Sequence, residues 1–163
     1  LYTHILSWEP GSAKSHNNLA MAYADGGRLE EAIRLYRQAI ELSDEYPQTH
    51  HNLGNAYLHV GDEDRAREEF MRAVAMDPDF HHSWIQIGVI QLKRGNLTAA
   101  SDAFERAIQA HPYEVNAYLG LAQVRLQQGD PRAARSVLES GLNALPRHPA
   151  LQDVLEKLPT LAP

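Results

Sequence analysis

Histidine side chains are the residues of this chain whose types and spacing could support metal or acid–base chemistry. The 163 residues contain nine histidines and no cysteine. Zinc needs three or four ligands in tight geometry, and we expect the neighbours His50–His51 and His81–His82 to point apart, as adjacent helical residues do. His51 and His59 share a face without a carboxylate between them. We therefore predict no metal and no cofactor, and a protonation switch at about pH 6 on His51, His59 and His82 remains an alternative.

Other chemistries are disfavoured by what the chain lacks. No nucleophile comes with a base and an orienting group, and no phosphate-binding loop is present, so we predict a non-enzymatic protein. The net charge of −6 and the pI near 5.8 argue against a nucleic-acid scaffold. No apolar run approaches the ~20 residues of a membrane span, so we expect no membrane insertion of these residues. A cysteine-free chain suits the cytosol and the periplasm alike, and the compartment stays open.

The elements that position these side chains repeat at 34-residue steps. Each repeat holds two amphipathic segments with a glycine-containing turn between them, which is typical of a helix–turn–helix solenoid. The recurring positions are Ala32, Ala66, Ala100 and Ala134; Tyr36, Phe70, Phe104 and Leu138; and Leu19, Leu53, Ile87 and Leu121.

The repeat resembles the tetratricopeptide repeat (TPR) family in its order of residue types. In the second repeat that order is His50, Leu53, Gly54, Tyr57, Ala66, Phe70, Ala73 and Pro78. The resemblance implies an all-α fold, a right-handed α–α superhelix with four full helix-turn-helix repeats, an N-terminal half-repeat and a C-terminal capping helix. We expect the half-repeat at 1–10, the repeats at 13–46, 47–80, 81–114 and 115–148, and the capping helix at 149–158.

Small residues should set how closely the paired helices approach. We expect Gly54 on a first helix to lie against Ala66 on a second helix, and the phenylalanines to fill the gap to the next repeat. His50 falls in the packed seam between helices, which favours burial over ligand binding. Arg125 and Gly141 depart from the repeat pattern, and predict looser packing towards the C-terminal end.

The family resemblance also implies a binding surface, because first helices of TPR proteins line a concave groove that takes extended peptides or helices. The amide groups expected there offer a donor and an acceptor side by side, which matches a peptide unit. Alternatively, these amides only keep the groove hydrated. The candidate groove residues are Asn17, Asn18, Met21, His51, Asn52, Asn55, His59, His82, Gln86, Lys93, Asn116 and Gln123.

Two known binding modes of the family can be compared with these positions. Asn18, Asn52 and Gln86 resemble the asparagine ladder of O-linked N-acetylglucosamine transferases, which grips the backbone of protein substrates. The two-carboxylate clamp for acidic chaperone tails needs cations on the first and third repeats. Only Asn52 fits that pattern, since Met21 and His82 stand at two of its positions. We therefore predict a scaffold for a protein or peptide partner and not a clamp.

Two further functions stay open. The chain opens within a repeat, which we interpret as a piece of a longer protein; alternatively, Ile5, Leu6 and Trp8 recruit a second copy into a homo-oligomer through the N-terminal end. The repeats could also be the substrate-targeting region of a larger enzyme or membrane protein. The identity of the partner does not follow from the sequence.

Overall fold

The computed structural model describes residues 12–158. The predicted half-repeat at 1–10, with Ile5, Leu6 and Trp8, lies outside the described residues. Within 12–158 the chain forms helices and no strands. The helices are α1 (Ala13–Asp25), α2 (Leu29–Leu42), α3 (Pro47–His59), α4 (Glu63–Met76), α5 (His81–Lys93), α6 (Leu97–Ala110), α7 (Val115–Gln127), α8 (Pro131–Ala144) and α9 (Pro149–Lys157).

Polar caps fix where several helices begin. The Ser12 hydroxyl accepts from the backbone N–H of Ser15 at 3.4 Å and caps α1. Asp130 accepts from the N–H of Ala133 at 2.8 Å, and Pro131 occupies the first turn of α8. The turn before α4 needs Gly61, whose φ of 85° is strained for any residue with a side chain. The starting points of these helices therefore follow from capping and turn residues in their own sequence.

The chain divides into two compact units, Leu1–Pro78 and Asp79–Pro163. In the first, α1 packs on α2, α3 packs on α4, α2 packs on α3, and α1 also touches α3. Its buried core contains side chains that recur at the repeat positions. They are Leu19, Tyr36, Leu53 and Phe70.

The second unit contains α5 to α9. Here α5 pairs with α6, α7 pairs with α8, α7 also contacts α5 and α6, and α9 covers α7 and α8. One core cluster surrounds Phe104 and Leu121, and a second contains Tyr118, Leu138 and Leu151. Leu151 is fully buried against the preceding repeat, so α9 caps the stack as predicted.

Glycines on first helices make room for phenyl rings. A Cβ on Gly54 would lie 2.7 Å from the ring of Phe70, so the closest neighbour of this glycine is that ring, while the packing of Gly54 on Ala66 stays a prediction. In the second unit the ring of Phe104 lies between Gly88 on α5 and Gly120 on α7; a Cβ on Gly120 would lie 2.3 Å from it. Phe104 thus fills the gap to the next repeat, as predicted.

The prediction of looser packing at Gly141 is wrong. Gly141 is buried, and a Cβ there would come within 2.9 Å of the ring of Tyr118 and 3.0 Å of Leu151. The missing side chain admits these two bulky groups instead of leaving a gap. Arg125 is also anchored, because its guanidinium donates to the carboxylate of Glu105 at 2.8 Å.

Candidate functional site

Amide side chains of α1 and α3 form a hydrogen-bonded row in the first unit. Gln48 Nε2 donates to Asn52 Oδ1 at 2.8 Å, within α3. Asn52 Nδ2 donates to Asn17 Oδ1 on α1 at 3.4 Å, and Asn17 Nδ2 donates to Met21 Sδ at 3.7 Å. The bond between Asn52 and Asn17 is long, so it holds these two amides only weakly to each other.

A cavity of about 230 Å³ lies beside this row. Four of the predicted groove residues line it: Met21, Asn52, Asn55 and His59. Asp25 at the end of α1 also lines it, and the sequence analysis missed this carboxylate because it lies one turn beyond the residues assigned to the α1 face. The lining therefore mixes polar and apolar side chains, with a single acidic group and an imidazole among them.

His51 and Asn18, two of the candidate residues of the first unit, do not line this cavity. His51 is only 9% exposed: its ring lies 5.4 Å from that of Phe70, and Asn55 Nδ2 lies 3.0 Å from its Nε2. The buried ring of His51 therefore helps to fix the orientation of the Asn55 side chain. Asn18 is exposed, and the amide hydrogen-bonded to Asn52 is that of Asn17. Asn17, which is also a predicted groove residue, is thus the α1 amide in contact with Asn52, and the ladder of Asn18, Asn52 and Gln86 stays a prediction.

The remaining candidates lie on α5 and α7 of the second unit. His82, Lys93, Asn116 and Gln123 are exposed and Gln86 is half-buried. Their neighbour Ile85 on α5 is 8% exposed and belongs to the core around Phe104.

A larger cavity of about 430 Å³ lies on the other side of the first unit, between α2 and α4. Arginines and glutamates line it together, including Arg37, Arg65, Glu41 and Glu68. Such mixed charge favours pairing within the protein over recognition of one ligand charge. The second unit has a counterpart of about 360 Å³ between α6 and α8, where the repeat-equivalent positions have lost most of these charges.

A buried ion-pair network occupies the seam of the second repeat. His50 is 1% exposed, as predicted, and its ring nitrogens lie 2.6 Å from Glu69 Oε2 and 2.5 Å from Asp44 Oδ1. Burial is the largest influence and lowers the pKa of His50, but the hydrogen bonds and charges of Glu69 and Asp44 together outweigh it and raise the pKa above its usual value. Arg72 in turn contacts Glu69 at 3.2 Å.

Sequence reasoning missed this network although a signal existed. Asp44 stands where the terminal proline of other repeats stands, and the equivalent position of the third repeat is Pro112, whose carbonyl accepts from the hydroxyl of Tyr118 in the fourth repeat at 3.0 Å. An aspartate at the position of that proline, together with a histidine in the seam between the helices, indicates a hydrogen-bonded pair of Asp44 and His50.

The expectation that His81 and His82 point apart is wrong. Their ring centroids lie 4.0 Å apart, and one ligand atom from each, with one from Glu114, all lie within 4.8 Å of one another. The ring of His111 stacks on that of His81 at 4.5 Å. Burial, followed by His82 and His111, lowers the pKa of His81 despite the opposing effect of Glu114.

Comparison with known proteins identifies the repeat. Family models described as tetratricopeptide repeat match residues 1–34, 51–115 and 91–158, and one described as TPR repeat matches 20–61. No curated protein matches the sequence. Among the described residues, no helix combines the length and apolar character needed to cross a bilayer.

Solved structures share the fold at low identity. MamA is 20% identical with a TM-score of 0.80, over 88% of this chain and 84% of that one. PilF of Pseudomonas aeruginosa is 21% identical with a TM-score of 0.77, over 90% of this chain and 67% of that one. The first TPR of Spaghetti (RPAP3), bound to the HSP90 peptide SRMEEVD, is 19% identical with a TM-score of 0.69, over 73% of this chain and 94% of that one. On these repeat matches, helix pairs and shared folds, the chain belongs to the tetratricopeptide repeat family.

Proposed function

We propose that the chain is a non-enzymatic scaffold that binds an extended segment of a partner protein, with the amide row of α1 and α3 gripping the main chain of that segment. The family supports the general role, because tetratricopeptide repeats serve mostly in protein–protein interaction. The observation that carries the finer proposal is the row Gln48–Asn52–Asn17 beside a cavity of mixed polar and apolar lining.

The hydrogen-bond geometry favours exchange with a ligand. An amide carries two N–H groups and two acceptor sites. Among residues 12–158, the bonds above use one N–H of Asn52 and one acceptor site of its oxygen. The bond to Asn17 is long, so replacing it by a bond to a peptide unit costs little. The short bond from Gln48 holds the Asn52 side chain in place for that exchange.

The lining of the cavity gives the chemistry of the bound segment. Met21 offers an adaptable thioether surface for a side chain. Asn55 and His59 offer further polar contacts, and Asp25 favours a donor or a cation near the end of α1. With one carboxylate at the cavity, we expect only weak dependence of affinity on salt.

We expect the bound segment to differ from the acidic HSP90 peptide that is bound in the Spaghetti structure. The clamp for such tails requires cations, and Met21 and His82 occupy two of its positions. A chain of net charge −6 also repels an acidic ligand. We therefore propose a neutral or basic segment, read mainly through its main chain.

Selection from a library of unstructured peptides, followed by fluorescence anisotropy, tests this proposal. Asn52→Ala removes one or two ligand bonds worth about 1 kcal/mol each, so we expect about a five- to thirtyfold loss of affinity. Asn143→Ala, which removes an exposed amide from α8, is the matched control and should change nothing. Equal affinity of the Asn52→Ala variant and the parent would refute the proposed site.

A further inference from the structure

We propose that His81, His82 and Glu114 form a binding site for one Zn²⁺ ion, which joins the start of α5 to the start of α7. The three residues come from two elements of the second unit that are far apart in sequence and adjacent in space. This site lies outside the amide row proposed to bind peptide, and neither proposal depends on the other.

The distances suit coordination. Zinc lies about 2.0–2.2 Å from nitrogen and carboxylate ligands, so neighbouring ligand atoms of a tetrahedral site lie about 3.4 Å apart. His81 Nε2 and Glu114 Oε2 are 3.9 Å apart, and the ligand atoms of all three residues lie within 4.8 Å. Small side-chain rotations bring them to bonding distance. Two imidazoles and one carboxylate match a three-ligand zinc site whose fourth position takes water.

Contacts around the ligands orient them. Glu114 Oε1 accepts from the backbone N–H of Asn116 at 3.3 Å and from its Nδ2 at 3.1 Å, which leaves Oε2 directed towards His81. The ring of His111 stacks on His81 with an interplanar angle of 17°, and limits rotation of that ring. Such supporting contacts are typical of metal sites.

The charges near the site favour a metal that binds nitrogen. The positive end of the α5 dipole lies at His81 and opposes any cation, and the Glu114 carboxylate offsets it. Mg²⁺ and Ca²⁺ prefer oxygen ligands, of which this cluster supplies one carboxylate.

Calorimetric titration of Zn²⁺ into the metal-free chain at neutral pH tests the site. We expect one Zn²⁺ per chain, with affinity at least about tenfold lower in His82→Ala and in Glu114→Gln. His59→Ala and His148→Ala are controls that remove histidines elsewhere and should leave the affinity within twofold. Because His82 is exposed, circular dichroism should show an unchanged fold in His82→Ala.

A second measurement does not depend on affinity. Zn²⁺ should raise the thermal unfolding temperature of the parent chain and of His59→Ala, but not that of His82→Ala, because the ion binds only the folded chain. Mg²⁺ at the same concentration should have no effect. Absence of Zn²⁺ binding, an unchanged affinity in His82→Ala and Glu114→Gln, or equal losses in the control variants would overturn the proposal.

Discussion

The His50 network predicts that the folded chain loses stability as the pH rises. His50 has a raised pKa in the folded state, so its contribution is fully present below the unfolded value of about 6.5 and is lost as the pH rises through the folded pKa. On losing its proton, the ring keeps one N–H for two carboxylates. We expect this N–H to stay hydrogen-bonded to the buried Glu69, whose side chain is 10% exposed, so that the bond to Asp44 is lost.

The magnitude follows from these two contacts. The Asp44 side chain is 58% exposed, so its ion pair contributes at most about 1 kcal/mol. The hydrogen bond between His50 and Glu69 joins two charged groups while His50 is protonated, and such a bond contributes about 1.5–3 kcal/mol. After deprotonation the donor is neutral, and this change costs about 1 kcal/mol. We therefore expect the free energy of unfolding to fall by about 1–2 kcal/mol between about pH 6 and about pH 9.

Urea denaturation followed by circular dichroism, at both pH values, measures this loss. The matched variant is His50→Tyr/Glu69→Val, which installs the residues that the fourth repeat carries at the equivalent positions, Tyr118 and Val137. Titration of all other groups is common to both proteins and cancels in the difference. If the parent and the variant lose stability equally over this range, or if the parent gains stability relative to the variant, the reasoning is refuted.

Three further predictions concern packing in the second unit. Phe104→Ala should lower the free energy of unfolding by about 3–5 kcal/mol, because the ring is fully buried, whereas the exposed control Val89→Ala should change it by less than about 0.5 kcal/mol; a smaller effect at Phe104 would contradict its packing role. Gly120→Ala should cost about 1–3 kcal/mol through overpacking on that ring, and a neutral result by urea denaturation would show that the ring can move aside. Tyr118→Phe should cost about 0.5–1.5 kcal/mol by removing the bond to the Pro112 carbonyl, and equal midpoints in urea would refute that contribution.

The helix pairs could be predicted from the sequence because their causes are local and recur. A 34-residue step places alanines, aromatic residues and turn glycines at fixed offsets, and the cap at Asp130–Pro131 acts within one turn. The apolar face of α9 follows from Leu151 and its helical neighbours in the same way. Local periodicity is therefore enough to establish the fold.

The polar clusters were missed because their members meet only through packing. His50, Asp44 and Glu69 come from a first helix, a loop and a second helix, and the replacement of the repeat's proline by Asp44 is the one local sign of the network. His81 and His82 open α5, where Glu114 from before α7 comes beside them. The contact between Asn52 and Asn17 has a similar origin, since the rotation of α1 relative to α3 decides which α1 amide faces Asn52.

The most direct test of the main-chain grip compares a selected peptide with copies of itself that are N-methylated at one backbone position at a time. Methylation removes a backbone donor without changing any side chain. We predict that methylation at one or two central positions weakens binding to the parent chain by about tenfold or more, and that the same copies bind Asn52→Ala with little further loss. Equal affinity of all copies for the parent chain, with loss only on side-chain substitution, would contradict the account.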